Sequence, residues 1–137
     1  MNLLKISLIF IMMLSINAGA QNLSDFQWKN RIVILYKSDA NITDVKSALE
    51  IVKNNSSGIN ERDIHVFVYK DNVFYTTNGK ATNIKKSNWL PKSYDGYALI
   101  GKDGGIKSNS PYPFKIQQLF DLIDSMPMRK SEMKSNR

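Results

Sequence analysis

Few side chains in this sequence are equipped for covalent or acid–base chemistry. The 137 residues include no cysteine and one histidine, His65. Without a thiol, disulfide exchange, sulfenic-acid cycling, thiolate metal sites and lipid attachment through an N-terminal cysteine are excluded. His65 lies inside an apolar run, beside Val66, with no second imidazole. A packed or surface role is therefore expected, not metal binding or catalysis. Asp121 and Asp124, three residues apart, share a helix face, but paired carboxylates at the end of a solvated helix are ordinary surface charge. Lys102-Asp103-Gly104-Gly105 is not a phosphate loop, because no helix follows the glycines. What remains is a set of charges: Arg31, Arg62, Asp63, Lys102, Asp103, Asp124 and Arg129. Gathered in one place, the cations among them could hold a small anion or an acidic partner group. No metal site and no cofactor is expected.

The elements that carry these residues decide whether they gather. Arg31-Ile32-Val33-Ile34-Leu35-Tyr36 is a continuous apolar and β-branched run, the pattern of a strand buried on both faces. Asn41 then reads as a helix cap with Asp44 three residues on. Val45, Ala48, Leu49 and Val52 fall at i, i+3, i+4 and i+7 and predict one apolar helix face. The stretch Asn54-Asn55-Ser56-Ser57-Gly58 is expected to stop that helix. A second strand follows at Ile64 to Tyr69, completing a βαβ unit with parallel strands and a right-handed crossover. Asp71-Asn72 could turn Val73 to Thr76 back as a short arm. Lys80 to Lys92, with Trp89 and Leu90 but no clear period, reads as an irregular or weakly helical connection. Tyr97 to Ile100 is a third core strand, the Lys102 to Gly105 turn closes a hairpin, and Ile106 to Ser108 returns. Ile116, Leu119, Phe120 and Ile123 predict a last helix that Pro127 ends. Met128 to Arg137 reads as a charged tail, frayed at its end.

This order, βαβ, then a hairpin, then a C-terminal helix, resembles the α/β thioredoxin-like fold, and Tyr97 to Asp124 resembles its closing half. Four segments are similar to a narrower group. They are Trp28-Lys29-Asn30-Arg31, Glu61-Arg62-Asp63, Gly101 to Lys107 and Asp124-Ser125-Met126-Pro127-Met128-Arg129. Together they resemble an uncharacterised family of small exported domains of unknown function, related to peroxiredoxins and to the domains of equarin and sushi-repeat extracellular proteins. The resemblance implies a thioredoxin-like fold and a place outside the cytoplasm, and it implies no established activity. Thioredoxins and peroxiredoxins carry their reactive cysteine just after the first strand. Here that stretch reads Ser38-Asp39-Ala40-Asn41-Ile42-Thr43, and no general base for the serine stands near it in sequence. The proline that thioredoxins keep before the third strand is replaced by Tyr94-Asp95-Gly96.

The first twenty residues have the parts of an export signal: Lys5, an apolar stretch from Ile6 to Ile16, and the small-x-small triplet Ala18-Gly19-Ala20. That stretch is shorter than the roughly 20 apolar residues that a membrane anchor needs. The expected mature chain is one domain over 21–137, starting at Gln21, with no membrane span and a periplasmic or secreted location. Removing Lys5 leaves 18 basic against 12 acidic residues, a net +6. Such a surface suits an acidic envelope component. The cations are dispersed and no nucleic-acid motif is present, so specific nucleic-acid binding is not expected.

In the proposed topology Arg31 and Asp63 begin parallel strands, the Lys102 turn follows an antiparallel one, and the last helix returns Asp124 and Arg129 to the same end. The seven charged residues should converge there, with Arg31 and Arg129 facing Asp63, Asp103 or Asp124. Two roles are open for them: a salt-bridged clamp in a non-catalytic binding or structural module, or a charged site for anion binding or catalysis with Arg31, Arg62, Lys102 and Arg129 as donors. A relative of a peroxidase that kept the fold and lost the thiol is a third description.

Overall fold

A computed structural model describes residues 22–85, 90–91 and 94–135. The expected export segment over 1–20, and Trp89, lie outside these residues. A 3-10 turn at Leu23–Phe26 leads into β1 (Arg31–Tyr36), α1 (Ile42–Asn54), α2 (Ser56–Glu61), β2 (Ile64–Lys70) and β3 (Val73–Tyr75). These are followed by β4 (Tyr97–Ile100), β5 (Ile106–Ser110), α3 (Ile116–Asp124) and α4 (Pro127–Ser135). The five strands form one sheet in the order β3-β2-β1-β4-β5.

β1 is the central strand, apolar from Ile32 to Tyr36 and covered on both faces. It pairs parallel with β2, from Arg31 opposite Ile64 to Tyr36 opposite Tyr69, and antiparallel with β4, from Ile32 opposite Ile100 to Leu35 opposite Tyr97. All six of its residues are buried. Alternation divides its side chains between two cores. Val33 and Leu35 pack with Val45, Ala48, Val52, Leu119 and Ile123 under the helices. Ile32, Ile34 and Tyr36 pack on the other face with Phe67, Phe74, Leu90 and Leu23. The 3-10 turn and the segment around Ile84 and Leu90 cover that second face. The connection after Gly79 is irregular, with isolated bridges at Ala81 and Lys85.

The two helices with apolar faces stop where the sequence puts their ends, at Asn54 and at Asp124, but each is followed by a further helix that the sequence does not predict. The chain turns at Asn55 and then enters α2, which contains Gly58. A Cβ there would sit 2.7 Å from the Phe120 ring and 3.2 Å from the Arg62 guanidinium. The glycine is a contact point between α2 and α3, and packing overrides its low helix propensity. Likewise α3 stops at Asp124, before Pro127, and Pro127 then begins α4. Proline suits the first helical position, where its missing N–H has no partner to lose. The expected frayed tail is therefore a helix through Ser135.

Candidate functional site: the charged end of the sheet

At the end where β1 and β2 begin, the main chain first brings the charged elements together. Arg31 N–H donates to Asp63 O at 2.9 Å, and Trp28 N–H donates to Lys102 O at 2.6 Å. The Gln27 amide donates to Asp103 O. Gly104, at φ 88°, lets the β4–β5 turn close beside Gln27. α3 ends here, and α4 starts after two intervening residues, Ser125 and Met126.

On this frame Arg31 donates through Nη1 and Nη2 to both oxygens of Glu132, at 3.1 and 3.3 Å. Its Nη1 also donates to Arg62 O. Lys102 Nζ lies 2.5 Å from Glu132 Oε1 and 2.8 Å from Asp63 Oδ2. Arg62 grips Asp124 in a fork, with Nε to Oδ1 at 3.0 Å and Nη2 to Oδ2 at 2.8 Å. Its guanidinium stacks 4.0 Å from the centre of the Phe120 ring. Arg129 closes the circuit, with Nε on Asp124 at 3.1 Å and Nη2 on Glu61 Oε1 at 2.8 Å.

Burial divides these groups by sign. The Arg31 and Arg129 side chains are 2% and 1% exposed, whereas Asp63 and Glu61 are 50% and 59% exposed. The cations lie beneath and the carboxylates face the solvent. Buried guanidinium groups persist only when most of their donors are satisfied, and these are. Among the described residues no buried side-chain nitrogen or oxygen lacks a partner. The hydrogen bonds from Arg62, joined by the one from Arg129, hold the Asp124 carboxyl below its ordinary range despite partial burial. Burial pushes the Glu132 carboxyl up, but the bonds from Lys102 and Arg31 outweigh it and the net shift is downward.

Six of the seven residues singled out in the sequence join this network: Arg31, Arg62, Asp63, Lys102, Asp124 and Arg129. Asp103 does not. Its carboxylate turns to Lys107 at 2.7 Å and to Gly105 N–H, and the Lys107 bond chiefly holds its pKa down. Arg31 faces none of the three expected carboxylates with its side chain; Glu132 takes it instead. Glu132 and Glu61 are the two members that sequence reasoning missed. The spacing Arg129-x-x-Glu132 places both on one helix face and could have pointed to the first. Asp121 leaves Asp124 alone here and accepts a hydrogen bond from Gln117. Among the described residues no group of three or more His, Cys, Asp or Glu side chains is placed to hold a metal.

The opposite end of β1, which leads into Ser38 to Thr43, is closed by Asn41. Its expected role as a side-chain helix cap is not the one observed. The buried amide donates to Tyr36 O and Asp95 Oδ1, and its oxygen accepts from Ser38 N–H at 2.8 Å. His65 lies on the sheet between Phe26 and Phe67, with ring centres 5.2 and 4.6 Å away. Its surroundings lower its pKa by desolvation.

Two solved structures match this architecture. One is the reduced 2-Cys peroxiredoxin of Plasmodium vivax, with a TM-score of 0.54 and 13% identity, covering 80% of this chain and 84% of that one. The other is the mitochondrial 2-Cys peroxiredoxin of Plasmodium falciparum, with a TM-score of 0.52 and 16% identity, covering 80% and 82%. The shared feature is the thioredoxin-like fold. A curated relative, coiled-coil domain-containing protein 80 of Danio rerio, is 26% identical over 133 residues. That match takes in 81% of this chain but only 15% of the relative's length. Residues 22–132 match the family model described as a domain of unknown function, DUF4174. With the match running from the first described residue to the Glu132 that anchors α4, this cysteine-free, thioredoxin-like chain belongs to the DUF4174 family.

Proposed function

We propose that the chain is an exported, non-catalytic binding or structural module, and that its charged end is an internal clamp fixing α4 to the sheet. One observation carries this reading: Arg31 and Arg129 are buried, Arg62 and Lys102 are nearly so, and each of the four cations is less exposed than the carboxylates that pair with it. An outside anion using Arg31, Arg62, Lys102 and Arg129 as donors would have to displace Glu132 or Asp124 first. Nor is an unpaired carboxylate left beside a free arginine for acid–base work. At the other end, Asn41 fills the corner with three hydrogen bonds, and the Ser38 hydroxyl beside it accepts from Ala40 N–H. Kinship with the domains of equarin and sushi-repeat extracellular proteins belongs to the same reading, as does descent from a thiol peroxidase that lost its cysteine.

Export rests on Lys5, the apolar stretch and the Ala18-Gly19-Ala20 triplet, with a periplasmic or secreted destination. No helix among the described residues is long and apolar enough to cross a membrane. Intact-mass analysis of material from an envelope fraction should give an N-terminus at Gln21; retention of Met1 to Ala20 would refute export with cleavage. The clamp is tested by anion titration. Inorganic phosphate and citrate should leave the melting temperature unchanged beyond a general salt effect, since a specific ligand of the native state raises it. A saturable rise that disappears in Arg31→Ala would favour the anion site over the clamp.

A further inference from the structure

On its outer side β2 is only half paired. β1 pairs with it from Ile64 to Tyr69, but β3 pairs with Val68, Tyr69 and Lys70 alone. After Tyr75 the chain turns away, closing a loop in which Gly79 N–H donates to Thr76 O. The ladder fixes which main-chain groups remain. Arg31 N–H donates to Asp63 O and Lys37 N–H to Tyr69 O. In a parallel ladder the odd-numbered residues of β2 therefore face β1, and Ile64, Val66, Val68 and Lys70 present their N–H and C=O groups outward. Val68 and Lys70 meet β3. Among the described residues no strand pairs with the outward groups of Ile64 and Val66.

A groove of about 680 Å3 runs beside this edge, between Leu49, Val52 and Ile59 on the helix side and the 76–78 loop opposite. Lys46 and Lys53, both exposed, stand on its α1 wall, where Glu50 is the nearest opposing charge in the lining. Among the described residues neither lysine has a carboxylate at ion-pair distance; the pairs formed involve other cations.

We propose that this edge binds an extended segment of a partner protein by strand addition. The segment's backbone would pair with Ile64 and Val66, and the alternate side chains on its α1 side would enter the groove, apolar ones over Leu49 and Val52 and acidic ones at either end beside Lys46 and Lys53. The unpaired stretch Ile64–Phe67 spans roughly 13 Å at the usual rise, enough for about four partner residues. A second copy would bring the same lysines and the mature chain's net charge of +6 against themselves. This gives the binding module proposed above a partner class, and it rests on that reading.

The test is amide NMR and hydrogen exchange on the protein with the capped octapeptide Glu-Thr-Val-Thr-Val-Thr-Glu-Thr, whose glutamates and valines share one strand face. Saturable shifts are expected at the Ile64 and Val66 amides, with their exchange slowed about tenfold or more once paired. The double variant Lys46→Glu with Lys53→Glu should fold normally, bind this peptide about tenfold more weakly, and favour a lysine–valine counterpart. Equal protection of the Ile64, Val66 and Val68 amides in the free protein would overturn the proposal, because the edge would already be closed. Unchanged Ile64 and Val66 amides at millimolar peptide would overturn it too. Shifts confined to another surface would sink the groove and leave the binding module standing. Cleavage of the bound peptide would do the reverse, ending the non-catalytic reading while the groove survived.

Discussion

Arg129→Ala perturbs the clamp at its most buried point. The side chain is 1% exposed and holds Asp124, Glu61 and the Glu61 carbonyl. Breaking a buried ion pair from one side costs about 3–5 kcal/mol, mostly because the abandoned charge has lost its water. Here the abandoned groups are partly protected. Asp124 keeps both hydrogen bonds from Arg62, and Glu61 is more than half exposed. The expected loss is therefore near the low end, about 3 kcal/mol, including the cavity left by the guanidinium. Arg129→Lys keeps the charge but not the planar fork and should fall between, about 1–2 kcal/mol. Glu61→Ala removes an exposed partner and should cost only about 0–1 kcal/mol. Urea unfolding followed by circular dichroism reads all three, with an unchanged m-value as the check that the denatured state is the same. A loss below about 0.5 kcal/mol for Arg129→Ala, the range of an ordinary surface change, would mean that α4 is not docked and the reasoning fails.

Acid should weaken the clamp. Asp124 and Glu132 have folded pKa values below their ordinary 3.8 and 4.5, so their contribution is complete above those values and is lost as pH falls through the lower folded ones. Stability measured from pH 7 down to pH 2 should drop less steeply in Glu132→Gln than in the parent; equal slopes would exclude Glu132 as a source. Asn41→Ala strips a buried corner of three hydrogen bonds and should cost about 1–3 kcal/mol, read by the same urea assay. A loss near zero would show that water replaces the amide, as the Tyr112 hydroxyl already serves Tyr36 O at 2.8 Å. Peroxide consumption and disulfide reduction should match a heat-denatured control. A saturable rate abolished by a point substitution would demand a non-thiol mechanism.

The strands were legible because burial on two faces leaves a composition signal: Arg31 to Tyr36 and Ile64 to Tyr69 have few polar interruptions. α1 and α3 were legible from periodic apolar faces. α4 was not, because its one buried residue is an arginine, and apolar periodicity has nothing to register in Pro127–Ser135. For the same reason Glu132 was missed and Arg31 was given the wrong partners. Gly58 and Pro127 were read as breaks because local propensity carries no information about the Phe120 ring or about the first position of a new helix. The convergence of Arg31, Asp63, Lys102 and Asp124 needed only strand directions, and those follow from the βαβ unit and the hairpin. Which carboxylate meets which cation depends on side-chain reach, and no spacing rule encoded it.

The clamp is tested most directly by a double-mutant cycle between Arg31 and Glu132, residues 101 apart in sequence that meet through two hydrogen bonds. Arg31→Ala, Glu132→Ala and the double variant are unfolded in urea alongside the parent. The clamp predicts a coupling of about 1–3 kcal/mol, with the double variant much less damaged than the sum of its parts. Additive losses, with a coupling indistinguishable from zero, would contradict it.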